Sequence, residues 1–158
     1  MKNERVLFLD IDGVLNTTRS ATHIRLDEER VLRLKRVLDQ TGAYIVLSTF
    51  WRNFDDYIAY ILSRYGVKER VIGATPGATH HSKKSERSSA DEAEYASRAS
   101  EIHAWLREHP VSSYVILDDR LTASLSKERF VHTKTALGLT DADADEAIRI
   151  LCDESLPL

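Results

Sequence analysis

The chain has 158 residues, 42% hydrophobic and 30% charged, and its 22 basic and 25 acidic side chains leave a formal net charge of −3. A chain of this length buries roughly 70% of the surface it would expose unfolded, so a core can form without disulfides or a structural metal. The single cysteine excludes a disulfide framework and a cysteine-based zinc cluster, and the mixed charge argues against wholesale wrapping of nucleic acid, leaving room only for a local basic groove.

From the N-terminus, Met1-Lys2-Asn3-Glu4-Arg5 leads into only four apolar residues before Asp10, too short for a signal-peptide core, and no later run approaches a membrane span. A cytoplasmic protein is expected. Val6-Leu7-Phe8-Leu9, halted by Asp10-Ile11-Asp12-Gly13, reads as a strand buried on both faces. Residues 27–41 read as a helix, with Asp27 as cap, Glu28 and Glu29 in the first turn, Val31, Leu34 and Leu38 on one face, and Gly42 as terminator. Tyr44-Ile45-Val46-Leu47 is a second apolar strand, ending at Ser48-Thr49. Asn53 is placed to cap a second helix that carries Ile58, Ile61, Leu62 and Tyr65 and stops at Gly66, and Val71-Ile72 reads as a short third strand.

From Ala74 to about Ala90 the composition turns to Gly, Pro, His, Lys and Ser, which predicts a long polar loop, functional or disordered. Tyr95, Ala99, Ile102 and Leu106 then follow a helical period up to His109-Pro110. Tyr114-Val115-Ile116-Leu117 is a further buried strand, halted by Asp118-Asp119, and Phe130-Val131 adds a fifth. Thr140 caps a last helix with Ala144, Ala147, Ile148 and Leu151, and Cys152 at its end reads as a small buried hydrophobe. Strands alternating with amphipathic helices, with no repeats and no second core, predict one α/β domain over residues 1–158, a parallel sheet sandwiched by helices.

Three strands end at their carboxyl edge in small or acidic groups: Asp10 and Asp12, then Ser48 and Thr49, then Asp118 and Asp119. Ligands bind at that edge of an open α/β sheet. For any single aspartate, a solvated strand end is the plainer explanation. Two acidic pairs after two apolar strands point instead to a cation between them, and hard oxygen ligands suit Mg²⁺. A metal, a hydroxyl and an attacking carboxylate are what phosphoryl transfer through an aspartyl-phosphate requires.

The segment Phe8-Leu9-Asp10-Ile11-Asp12-Gly13-Val14-Leu15-Asn16 resembles the DxDGVLN first motif of the haloacid dehalogenase (HAD) superfamily. Val46-Leu47-Ser48-Thr49 is similar to its second motif, and Val115-Ile116-Leu117-Asp118-Asp119 to the DD form of its fourth. More narrowly, Leu47-Ser48-Thr49-Phe50-Trp51-Arg52 and Arg98-Ala99-Ser100-Glu101-Ile102-His103-Ala104-Trp105-Leu106 resemble HAD domains found in RNA-repair proteins. The resemblance implies a Rossmann-like, HAD-type fold and a Mg²⁺-dependent phosphatase. It makes Asp10 the nucleophile and a metal ligand, and Asp12 the acid and base with its backbone carbonyl on the metal. Ser48 and Thr49 would bind phosphate, and Asp118 and Asp119 would complete the metal site. Arg98 matches the narrower family's pattern and would be its basic third-motif residue, with Lys83 and Lys84 as competitors. A helix beginning near Ser97 would put Arg98 in its first turn and within reach of the site, whereas one beginning at Ser89, with Glu92 completing a capping box, would put it mid-helix.

Weaker signals have plainer readings. Asp141-Ala142-Asp143-Ala144-Asp145-Glu146 lacks the glycine and the final glutamate of a calcium loop and reads as an acidic helix start. His80 and His81 read as solvated loop residues, and Trp51 and Arg52 serve packing and substrate contact equally well. A receiver-like phosphoacceptor would need an aspartate where Ser48-Thr49 stands, and a non-catalytic binding protein would not need both Asp10 and Asp12. Only residues 14–26 separate Gly13 from Asp27, too few for a cap domain, so the site is expected to be open to a large phosphorylated substrate such as a polynucleotide end, or to a nucleotide.

Overall fold

A computed structural model of the chain describes residues 4–17, 26–48, 55–76 and 90–158. Five strands form one parallel sheet: β1 (Arg5–Leu9), β2 (Tyr44–Leu47), β3 (Val71–Ala74), β4 (Ser113–Asp118) and β5 (Phe130–His132), in the order β3-β2-β1-β4-β5. Four helices lie between and after them: α1 (Glu28–Thr41), α2 (Asp55–Ser63), α3 (Ala90–Glu108) and α4 (Asp141–Cys152). This is the α/β, Rossmann-like parallel sheet expected from the alternating pattern, and no cap domain is evident among the described residues.

β1 is central, and its side chains alternate between two cores. Leu7 and Leu9 join Val31, Leu34 and Leu38 of α1, Ile58 and Leu62 of α2, and Ala144, Ala147 and Leu151 of α4. Val6 and Phe8 turn to the other face, against Ile102 and Trp105 of α3 and Tyr114 and Ile116 of β4. Phe8 meets Trp105 edge to face at 5.5 Å between ring centroids. With both faces covered, polar side chains are admitted only where the strands end.

Several expectations are corrected. Asp27 holds the cap position of α1, yet its carboxylate pairs with Arg30 at 3.1 Å and makes no capping hydrogen bond. Cys152 is exposed, because α4 buries Ala144, Ala147, Ile150 and Leu151 and position 152 falls off that stripe. α3 starts at Ala90, so Arg98 stands mid-helix. Thr140 does cap α4, in a capping box with Asp143, and Asp141 and Asp145 pair with Arg33 and Arg36 of α1. The expected Asn53 cap, Ser89, Lys83, Lys84, His80, His81, Trp51, Arg52 and Thr49 lie outside the described residues. Among the described residues no helix is long and apolar enough to cross a membrane.

Candidate active site

The ladder that pairs β2, β1 and β4 runs one rung past the strands. Leu9 pairs with Leu47 on one side and Leu117 on the other. The Asp10 N–H then donates to the Leu117 carbonyl at 3.1 Å, and the Ser48 N–H to the Leu9 carbonyl at 2.9 Å. Asp10, Ser48 and Asp118 are thereby held side by side at the carboxyl edge by backbone hydrogen bonds alone.

Asp10, Asp118 and Asp119 each bring a carboxylate oxygen to within 4.8 Å of the others. Asp10 is 3% exposed and Asp118 fully buried. Arg98, 5% exposed, reaches in from the middle of α3, and its Nη1 donates to Asp118 Oδ2 at 2.8 Å and Asp10 Oδ2 at 3.3 Å. The mid-helix position is therefore no obstacle, since α3 packs on the sheet face beside β1 and β4 and the long side chain spans to the edge. Asp118 Oδ1 accepts the Arg120 N–H at 2.9 Å, and Asp10 Oδ1 the Ile11 N–H at 2.9 Å.

Burial pushes the Asp118 carboxyl up to about 6, against the pull of the Arg98 guanidinium. Burial also works against the Arg98 charge, but Asp10 and Asp118 outweigh it and hold the guanidinium above the usual arginine value. The buried Arg98 and the half-exposed Arg120, 3.9 Å from Asp119 Oδ1, leave three carboxylates with a negative excess. The donors are all oxygens, and Asp119 Oδ1 is buried without a hydrogen-bond partner. A hard divalent cation fits this donor set.

Asp12 sits differently. It is exposed, on the turn after Asp10, and its Oδ1 accepts from Asn16 Nδ2 at 3.0 Å while Asn16 Oδ1 accepts the Gly13 N–H at 3.0 Å. Gly13 has φ 77°, and a Cβ there would run into the Asp119 carboxylate, so the turn between the two acidic pairs demands glycine twice over. Ser48 is 1% exposed and its Oγ has no hydrogen-bond partner, an unsatisfied donor beside the carboxylates. A cavity of about 660 Å³, lined by His103, Leu106, Arg107 and Tyr114 among others, lies toward the amino end of β4, away from this edge.

The chain matches, over residues 6–144, the family model of the HAD domain in Swiss Army Knife RNA repair proteins. It belongs to this family. No curated protein and no solved structure matches it. The matched span runs from Val6 in β1 into α4 and includes Asp10, Asp12, Asp118 and Asp119. Membership places it in a superfamily of phosphatase-type hydrolases, and the buried aspartates could hold a metal.

Sequence reasoning missed the end of β5 and the turn that follows it. The His132 ring lies 2.8 Å from the Asp119 carbonyl, Thr133 Oγ1 donates to the Gly13 carbonyl at 2.8 Å, and Thr135 Oγ1 donates to Asp119 Oδ2 at 2.8 Å. The signal was available: the fifth strand, like the other three, ends in polar residues at the carboxyl edge.

Proposed function

We propose that this HAD domain is a Mg²⁺-dependent phosphatase that hydrolyses a phosphomonoester through an aspartyl-phosphate, acting on a polynucleotide end or a nucleotide. The observation that carries the reading is the buried cluster of Asp10, Asp118 and Asp119 clamped by Arg98 beside the unpartnered Ser48 hydroxyl. Asp10, Asp118 and Asp119, with the Asp12 backbone carbonyl, would hold the metal. When bound, Mg²⁺ would neutralise charge on the phosphoryl group and the carboxylates.

In the first half-reaction an Asp10 carboxylate oxygen attacks phosphorus, the bond from phosphorus to the ester oxygen breaks, and the Asp12 carboxyl gives that oxygen a proton. In the second, the Asp12 carboxylate takes a proton from water as its oxygen attacks phosphorus, which frees Asp10 and inorganic phosphate. The exposure of Asp12 suits a group that must meet both leaving group and water, and its Asn16 hydrogen bond fixes its direction. Ser48 and Thr49 would hold phosphate oxygens, and Arg98 would offset the charge on nucleophile and phosphate. Among the described residues no cap covers this edge, which would suit a bulky phosphorylated end.

The test is phosphate release from 3′- and 5′-phosphorylated oligonucleotides, mononucleotides, phosphopeptides and an aryl phosphate, assayed side by side with Mg²⁺ and with chelator. Release from the nucleic-acid substrates above the others supports the reading. No metal-dependent release from any of them refutes it.

A further inference from the structure

We propose that Thr135 is a positioning residue for Asp119, and that the turn bearing it fastens the two acidic motifs together. The inference rests on the reading of Asp119 as a metal ligand.

β5 ends at His132, and the Thr133 N–H extends the parallel ladder to the Asp118 carbonyl at 3.0 Å. The chain then closes a tight turn, with the Leu137 and Gly138 N–H groups both donating to the Lys134 carbonyl at 2.8 Å. Gly138, at φ 64°, lies so close to Arg30 that a Cβ would collide with that side chain, and Arg30 Nε donates to the Leu137 carbonyl at 2.8 Å. At one end of the turn Thr133 Oγ1 holds the Gly13 carbonyl, and at the other the Leu139 N–H donates to the Val14 carbonyl at 2.7 Å. Two consecutive residues of the Asp10–Asn16 loop are thus tied to the segment that also carries Thr135.

Thr135 Oγ1 occupies Asp119 Oδ2. The other oxygen, Oδ1, is buried without a hydrogen-bond partner, and the Asp119 side chain is only 8% exposed. Oδ1 meets only the half-exposed Arg120 guanidinium, at 3.9 Å and too far for a hydrogen bond. Among the described residues the Thr135 hydroxyl is thus the side-chain hydrogen bond made to this carboxylate, and Oδ1 is left for a cation. Gly13 sets the opposite wall, since the carboxylate packs where its Cβ would be. Swinging Asp119 away from Thr135 would lose that hydrogen bond, which is how a supporting shell preorganises a ligand.

The test compares Thr135→Val, which keeps the shape and loses the hydroxyl, with Thr135→Ser, which keeps the hydroxyl. Mn²⁺ and Mg²⁺ binding to the full chain without substrate is measured by calorimetry, alongside circular dichroism and the metal dependence of phosphate release. The valine variant is expected to bind either ion about 10-fold more weakly, the lower end of what losing such a partner costs. The serine variant should stay within about twofold of the parent. Equal affinity in the valine and parent proteins overturns the role of Thr135 and leaves the phosphatase reading standing. Weakened binding in both variants alike overturns it too, since the hydroxyl would then not be what matters. A parent protein that binds neither ion refutes the metal site and this inference with it.

Discussion

Asp10 and Arg98 meet demands that pull against each other. In the nucleophilic role proposed for Asp10, the carboxylate must keep a charge in a place with almost no water, and the guanidinium 3.3 Å away would help it do so. Asp10→Asn keeps the shape and loses the attacking oxygen's charge, so phosphate release should fall by roughly 10³-fold or more while circular dichroism stays native. Substantial residual turnover would remove Asp10 as nucleophile. Arg98→Ala should slow every substrate, and because it strands buried carboxylates it should also cost about 3–5 kcal/mol of stability. A divalent cation can replace part of the missing charge, so the loss measured by urea unfolding should be larger in chelator than in Mg²⁺. An Arg98→Ala protein as stable as its parent in chelator would show that the pair does not offset the buried charge. The acidic residues were legible because each interrupts an apolar run. Thr135 was not, because its importance lies in a contact 16 positions away, with Asp119.

Helix boundaries were legible where a side chain bonds its own backbone and illegible where tertiary contacts compete. Thr140 and Asp143 close a reciprocal box within four residues of chain, and the sequence reading of that cap is met. Asp27 has the same chemistry, but Arg30 takes its carboxylate, and Arg30 is itself held by the Leu137 carbonyl. In α3 the apolar spacing fits a helix, yet its first turn could not be placed from Arg98, since a long side chain reaches the site from the third turn as well as from the first. Thr140→Ala should cost about 1 kcal/mol in chemical denaturation and leave turnover unchanged, because the cap lies at the start of α4 and touches none of the acidic groups. A loss of activity at equal folded fraction would mean that α4 communicates with the site through the neighbouring turn at 134–139.

At the scale of the molecule, one rule, that apolar strands end in polar groups at a common edge, pointed to the candidate site before any contact was known. The strand order β3-β2-β1-β4-β5 was not readable, yet it decides which side chains meet at the edge, because only a central β1 flanked by β2 and β4 sets Asp10 between Ser48 and Asp118. The same arrangement makes the folded chain electrostatically incomplete, with one buried arginine, Arg98, and one half-exposed arginine, Arg120, against three carboxylates. Any cation that binds only the folded state must then stabilise it. At 100 times its dissociation constant Mg²⁺ would add about 2.7 kcal/mol, and with roughly 2–4 °C per kcal/mol for a chain of this size the melting temperature should rise by roughly 5–10 °C. Asp118→Ala should remove most of that rise. Ca²⁺ should raise the melting temperature as well but fail to support turnover, since its longer and looser coordination, about 2.3–2.6 Å against 2.0–2.1 Å, would hold nucleophile and phosphorus out of line. Stabilisation by both ions with turnover only in Mg²⁺ would separate binding from chemistry, whereas full activity in chelator would leave the acidic cluster without a metal to hold.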